Sequence, residues 1–418
     1  MDLSMPLRDY GRDEAFAMPV EEIDVSNPFW FQKDTIGHFF ERLRRDDPVH
    51  YFDSPRYGGF WSVTRYNDIM QVDTSHQIFS SDWSQGGIAI ADAPMDQRLQ
   101  MFIAMDQPKH DEQRKSVSPI VAPGNLATME ATIRERTCKV LDGLPRNETF
   151  NWVERVSIEL TTMMLATLFD FPFEDRRLLT WWSDVATSVP EIDGLVESQE
   201  ARMAELGKML AYFTKLWNER VNAPAGNDLI SMLAHNPATR NMGPREFMGN
   251  LVLLIVGGND TTRNSMTGGV LAMSKFPAEW AKLRDNPKLI DSMVPEIIRW
   301  QTPLPMMRRT ALADTELGGK HIKKGEKVVM WYLSGNRDAE AIERPNDFII
   351  DRARPRQHLS FGFGIHRCVG NRLAEMQIKI LWEEILKRFD NIEVMGEPKR
   401  LLSTFVRGIT HLPVRLPG

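Results

Sequence analysis

Most of the chain repeats apolar residues every three or four positions, and only a few short stretches alternate apolar with polar. Helical spacing runs through residues 127–144, 155–168, 200–221, 244–273 and 289–300, since side chains three and four apart share one helix face. Alternation marks strands at 49–52 and 59–64, and again at 315–322, 327–331 and 408–416. Each of these is rich in β-branched or aromatic residues and bounded by Gly, Asp or Pro. The pattern predicts a mainly α protein with small β-sheets, in which strands from the two ends of the chain meet in space. Residues 222–227 and 352–358 read as loops from their Pro, Gly and polar content. Neither is a convincing domain linker, and no repeat or low-complexity tract divides the sequence.

A chain of 418 residues would by size alone allow two or three domains. A single domain that encloses a large prosthetic group can reach this length, and residues 1–418 are expected to form one. With 42% hydrophobic and 26% charged residues, the chain is an ordinary globular protein rather than a disordered or coiled-coil one. A net charge of −6 gives no basic footprint for nucleic acid. The longest apolar run, 251–256, is far short of the roughly eighteen residues that cross a bilayer. The opening MDLSMPLRDYGRDEAF lacks the charged-then-apolar order of a signal peptide. A cytoplasmic protein with no membrane span is expected. Two cysteines, Cys138 and Cys368, do not make a disulfide framework.

The segment HLSFGFGIHRCVGNRLAEMQIKILWEEIL carries the strongest chemical signal. Gly362, Gly364 and Gly370 permit turns and close approaches as the chain delivers Cys368 to the start of an amphipathic helix. Free N–H groups and the helix dipole at that end favour thiolate over thiol. A thiolate so held is a strong axial donor to haem iron. Most lone cysteines in Gly-rich turns are simply buried thiols, so the spacing decides. Phe361, Gly364, His366, Cys368 and Gly370 fit Phe-x-x-Gly-x-His-x-Cys-x-Gly, and here the chain resembles the cytochrome P450 family. The resemblance implies that family's triangular prism-like fold, haem b (iron protoporphyrin IX), and Cys368 as the iron ligand.

Other family elements follow in the expected order. In NLVLLIVGGNDTTRNSM a helix pattern is interrupted by Gly257 and Gly258, which permits a local widening where oxygen and water sit. Threonines in helices usually just bond back to the preceding turn, but an acid beside a hydroxyl suits proton delivery. The resemblance makes Thr261 the hydroxyl near the reacting oxygen and Asp260 the relay acid. Gly257 stands where many members carry Ala. Glu296 and Arg299, three apart on one helix face, resemble the family's buried ion pair, with Arg352 of FIIDR joining them in a structural role. His110 and Arg114 sit at i and i+4 and resemble propionate ligands, with Arg309 and His366 completing the set. The adjacent Arg308 leaves a one-residue ambiguity, in which Arg309 is favoured.

The resemblance spans essentially the whole chain and implies insertion of one oxygen atom of O2 into a C–H bond. No flavin or nicotinamide motif is visible. Electrons are therefore expected from a separate partner, which the resemblance implies is a [2Fe–2S] ferredoxin served by a flavin-containing reductase, docking on a basic face drawn from Lys115, Arg354, Arg356, Arg367 and Arg372. The stretch GGNDTTRNSM, followed by TGGV, resembles the branch that hydroxylates terminal methyls of medium-chain alkanes and fatty acids. A similar pattern, AGNETTRN, belongs to sterol side-chain oxidases. Leu253, Val256, Gly257, Leu304, Met307 and Phe405 are expected above the haem. No cation clearly anchors a carboxylate, which tilts the expectation toward alkanes or alcohols. Alternatives are a peroxide-driven oxygenase and a non-catalytic haem-thiolate sensor. A monomer is expected.

Overall fold

Pro244 opens the longest helix of the protein at a position where its missing N–H costs nothing. In the computed structural model, which describes residues 11–190 and 194–418, this helix sits in the middle of the helical mass. The helices that build the site are α1 (Tyr66–Thr74), α2 (Lys109–Val117), α3 (Glu159–Phe169), α4 (Arg177–Thr187), α5 (Gln199–Val221), α6 (Pro244–Lys275), α7 (Ile290–Gln301) and α8 (Asn371–Arg388). Helix α6 packs against α3, α4, α7 and α8, and from Phe247 to Met273 it is buried on most of its circumference. A helix covered on all sides belongs at the centre of a domain.

The main sheet takes strands β1 (Val49–Ser54), β2 (Gly58–Val63), β3 (Phe79–Ser80), β4 (Met307–Ala311) and β5 (Lys327–Met330) in the order β1-β2-β5-β4-β3. Every pairing is antiparallel except β2 with β5. The expected meeting of early and late strands is therefore made with residues 307–330. The last strand, Pro413–Arg415, pairs instead with Thr149–Asn151 and Glu393–Val394. The stretch 315–322 folds as a hairpin, turning at Gly318 and Gly319 with φ of 56° and 75°.

Strand β4 has no alternation in its sequence because all five of its residues are buried. Arg308 and Arg309 lie back to back on opposite faces, each beside its own acid, Asp92 and Asp73. The expected interruption at Gly257 and Gly258 does not occur: α6 runs unbroken through the pair. Gly258 is there for packing, since a Cβ at that position would lie 2.7 Å from Leu165 Cδ2 of α3. Among the described residues, no helix is long and apolar enough to cross a membrane.

Candidate active site

Helix α6, strand β4, the N-terminal ends of α2 and α8, and the loop before α8 surround a cavity of about 580 Å³. Cys368 borders this void three residues before α8 begins, so its accessible surface faces the cavity. Its N–H donates to the Phe361 carbonyl (2.8 Å), which closes the loop. Gly364 adopts a φ of 64°, and a Cβ there would sit 2.5 Å from the Asp73 carbonyl oxygen, so only glycine fits. Gly370 lines the cavity, where a Cβ would project into open space.

Burial pushes the Cys368 thiol up, while the N–H groups of Gly370 and Asn371 and the charges of Arg114 and Arg367 pull it down. The net direction is upward, with the helix-end N–H groups acting toward thiolate against it. The donors are present, but the placement of the sulfur inside the protein, on the cavity wall, outweighs them. A metal cation at the sulfur supplies the missing charge, because coordination deprotonates a thiol outright.

One wall of the cavity is built to meet carboxylates. His110, Arg114, Arg309 and His366 all line it. His110 Nε2 and His366 Nδ1 are buried with no hydrogen-bond partner, a costly condition that a bound carboxylate relieves. His366 Nε2 lies 2.6 Å from Ser81 Oγ. With the hydroxyl donating, a neutral His366 presents Nδ1–H to the cavity. His110 Nδ1 donates to Asp111 Oδ1 at 2.7 Å, so its Nε2 can also donate only as the imidazolium. Burial lowers the His110 pKa and Asp111 opposes the fall. A second carboxylate would add to Asp111's effect. Arg309 reaches the cavity, whereas Arg308 turns away to Asp92. These donors suit the two propionates of haem, and the apolar walls and the Gly370 cradle suit its ring.

Thr261, Gly257 and Gly258 of α6 also face the void, together with Leu253, Val256, Leu304, Met307 and Phe405. Phe361 joins them from the cysteine loop. The Thr261 hydroxyl donates back to the Gly257 carbonyl at 3.0 Å, the contact any helical threonine makes. Asp260 does not border the cavity. Adjacent helical residues project about 100° apart, and its side chain points toward α4. There Arg263 Nη2 donates to Asp260 Oδ1 (2.6 Å) and to Asp184 Oδ1 (2.9 Å). Burial pushes the Asp260 carboxyl up to about 6, with Arg263 opposing. An upward shift moves its proton exchange toward the range useful to a relay.

Glu296, Arg299 and Arg352 come together away from the cavity. Arg299 holds Glu296 through two bonds of 2.7 Å, and Arg352 Nε adds a third at 2.9 Å. The two arginines also donate to the carbonyls of Asn336, Asp347 and Arg344. The cluster therefore ties α7 to the chain that leads into the cysteine loop. Sequence reasoning missed Asp73, Ser81 and Tyr332, which support this site from distant segments and carry no local motif.

The sequence profile of the family described as Cytochrome P450 matches residues 225–413. Linalool 8-monooxygenase of Pseudomonas putida is 34% identical over 410 residues, covering 95% of this chain and 99% of that protein. Steroid C26-monooxygenase of Rhodococcus jostii is 32% identical, covering 97% of this chain and 87% of that protein. Among solved structures, cytochrome P450-153 from Novosphingobium aromaticivorans superposes with a TM-score of 0.87 at 48% identity, covering 94% of this chain and 99% of that one. The chain belongs to the cytochrome P450 family. It is a monooxygenase that binds haem b and requires O2 and a redox partner.

Proposed function

We propose that this monooxygenase hydroxylates the terminal carbon of medium-chain aliphatic compounds. The observation that carries the reading is the apolar wall beside Thr261, formed by Leu253, Val256, Leu304, Met307 and Phe405. Such a wall recognises an alkyl chain and restricts its approach, which allows a stronger primary C–H bond to be chosen over weaker neighbours. When bound, haem supplies reductive activation of O2 and transfer of one oxygen atom.

Cys368 holds the iron, and His110, Arg114, Arg309 and His366 hold the propionates. Thr261 would turn its hydroxyl from the Gly257 carbonyl toward the cavity to donate there, and Asp260 would supply it with protons from the α4 side. For Asp260 to do so, it must part from Arg263 or pass protons through water. Glu296, Arg299 and Arg352 keep the cysteine loop in place. One domain, acting as a cytoplasmic monomer, completes the reading. Electrons come from a [2Fe–2S] ferredoxin and its flavin-containing reductase. Lys115, Arg354, Arg356, Arg367 and Arg372 are all exposed around the cysteine loop, and Arg356 is paired with Glu375. The others offer a positive face to an acidic partner.

The steroid-oxidising relative supports a second reading, oxidation of a sterol side chain. Optical titration of the ferric protein with n-octane, octanoic acid and a sterol separates the two. Saturable Soret shifts with the linear chains alone are expected. A shift with the sterol alone replaces the first reading by the second.

A further inference from the structure

Asp73, near the end of α1, is 2% exposed and accepts hydrogen bonds from three distant segments. Arg309 Nη2 of β4 donates to Oδ1 at 2.8 Å. The Tyr332 hydroxyl (3.1 Å) and the Phe363 N–H (2.7 Å) donate to Oδ2. Its own backbone carbonyl is the atom that crowds Gly364. One residue thus touches both the arginine at the propionate wall and the turn that leads to Cys368.

Two of the three partners, a guanidinium and a backbone amide, can only donate. The ionised carboxylate fits that arrangement, although burial pushes the Asp73 pKa up. Arg309 is otherwise held by the carbonyl of Arg308, to which Nη1 donates at 2.9 Å. Its charge is therefore already matched by Asp73 before any ligand arrives, and its orientation toward the cavity is fixed.

We propose that Asp73 is a positioning residue for the haem: it aims Arg309 at a propionate while neutralising part of its charge, and so holds the haem potential down. The proposal rests on Arg309 lying against a propionate. A cation near haem favours the ferrous state, which carries one positive charge fewer at iron, and an uncompensated Arg309 favours it more.

The test is a spectroelectrochemical titration of purified, haem-loaded wild type and three variants. Asp73→Asn keeps the shape and an acceptor oxygen but removes the charge. It is expected to move the ferric/ferrous equilibrium about tenfold toward ferrous, ~59 mV for a one-electron couple, with the thiolate signature retained. Tyr332→Phe removes a donor that stabilises the Asp73 carboxylate and is expected to move the potential the same way by less. This second variant keeps the test alive if Asp73→Asn does not fold. Arg309→Gln checks the reading beneath the proposal and is expected to lower the potential and speed haem loss to excess apomyoglobin. If Arg309→Gln acts as expected while Asp73→Asn and Tyr332→Phe leave the potential unmoved, Asp73 is merely structural and the proposal falls. If Arg309→Gln changes neither quantity, Arg309 does not meet the propionate, and the proposal falls with that assignment.

Discussion

Cys368→Ala leaves a protein that folds, binds haem weakly and makes almost no product. The apolar walls and the propionate donors remain, so some haem is retained, but the iron loses its thiolate donor and with it the electron push toward O–O cleavage. Turnover falls to ~1% of wild type or less, because electron donation from sulfur is the one contribution no neighbour replaces. The absorption band of the reduced, carbon monoxide-bound protein moves away from its thiolate position. Cys138 cannot substitute, since its sulfur sits beside Glu384 on the side of α8 and does not border the cavity. Retention of both the band and the activity would mean that another residue ligates the iron.

Glu296→Ala is expected to have the second largest effect, and on folding rather than chemistry. Arg299 is 1% exposed and Glu296 fully buried, so the substitution strands a buried guanidinium. Removing one partner of a buried pair costs roughly 3 to 5 kcal/mol. That is a large share of the ~5 to 15 kcal/mol by which a protein is stable. Arg352, also tied to Glu296, loses its anchor in the same step. Little haem-loaded protein should be recovered, and what remains should melt at markedly lower temperature. An unchanged melting temperature would contradict the structural role given to the cluster.

What could be read from the sequence was what is local. The cysteine loop, the i, i+3 pair Glu296–Arg299 and the i, i+4 pair His110–Arg114 each lie within a few residues, so spacing alone announces them. The amphipathic and buried helices were visible for the same reason. Strand β4 was not, because two adjacent arginines sit inside the protein, each matched by an acid from another segment. Asp73 was invisible because its three partners lie more than 200 residues away in sequence. Adjacency does not say where side chains point: the helix turn brings Asp260 to Arg263 and Asp184 while Thr261 lines the cavity. The paired glycines suggested a break, yet α6 runs through them, with Gly258 set close against Leu165.

Turnover under labelled dioxygen tests the central claim most directly. The haem-loaded protein, a [2Fe–2S] ferredoxin, its reductase and NADH are supplied with n-octane and 18O2, and the products are resolved by mass spectrometry. Wild type is expected to give 1-octanol carrying one 18O atom, and Thr261→Ala to consume NADH with much less product. Alcohols oxygenated mainly at internal carbons, or 1-octanol without the label, would contradict a monooxygenase that selects the chain terminus.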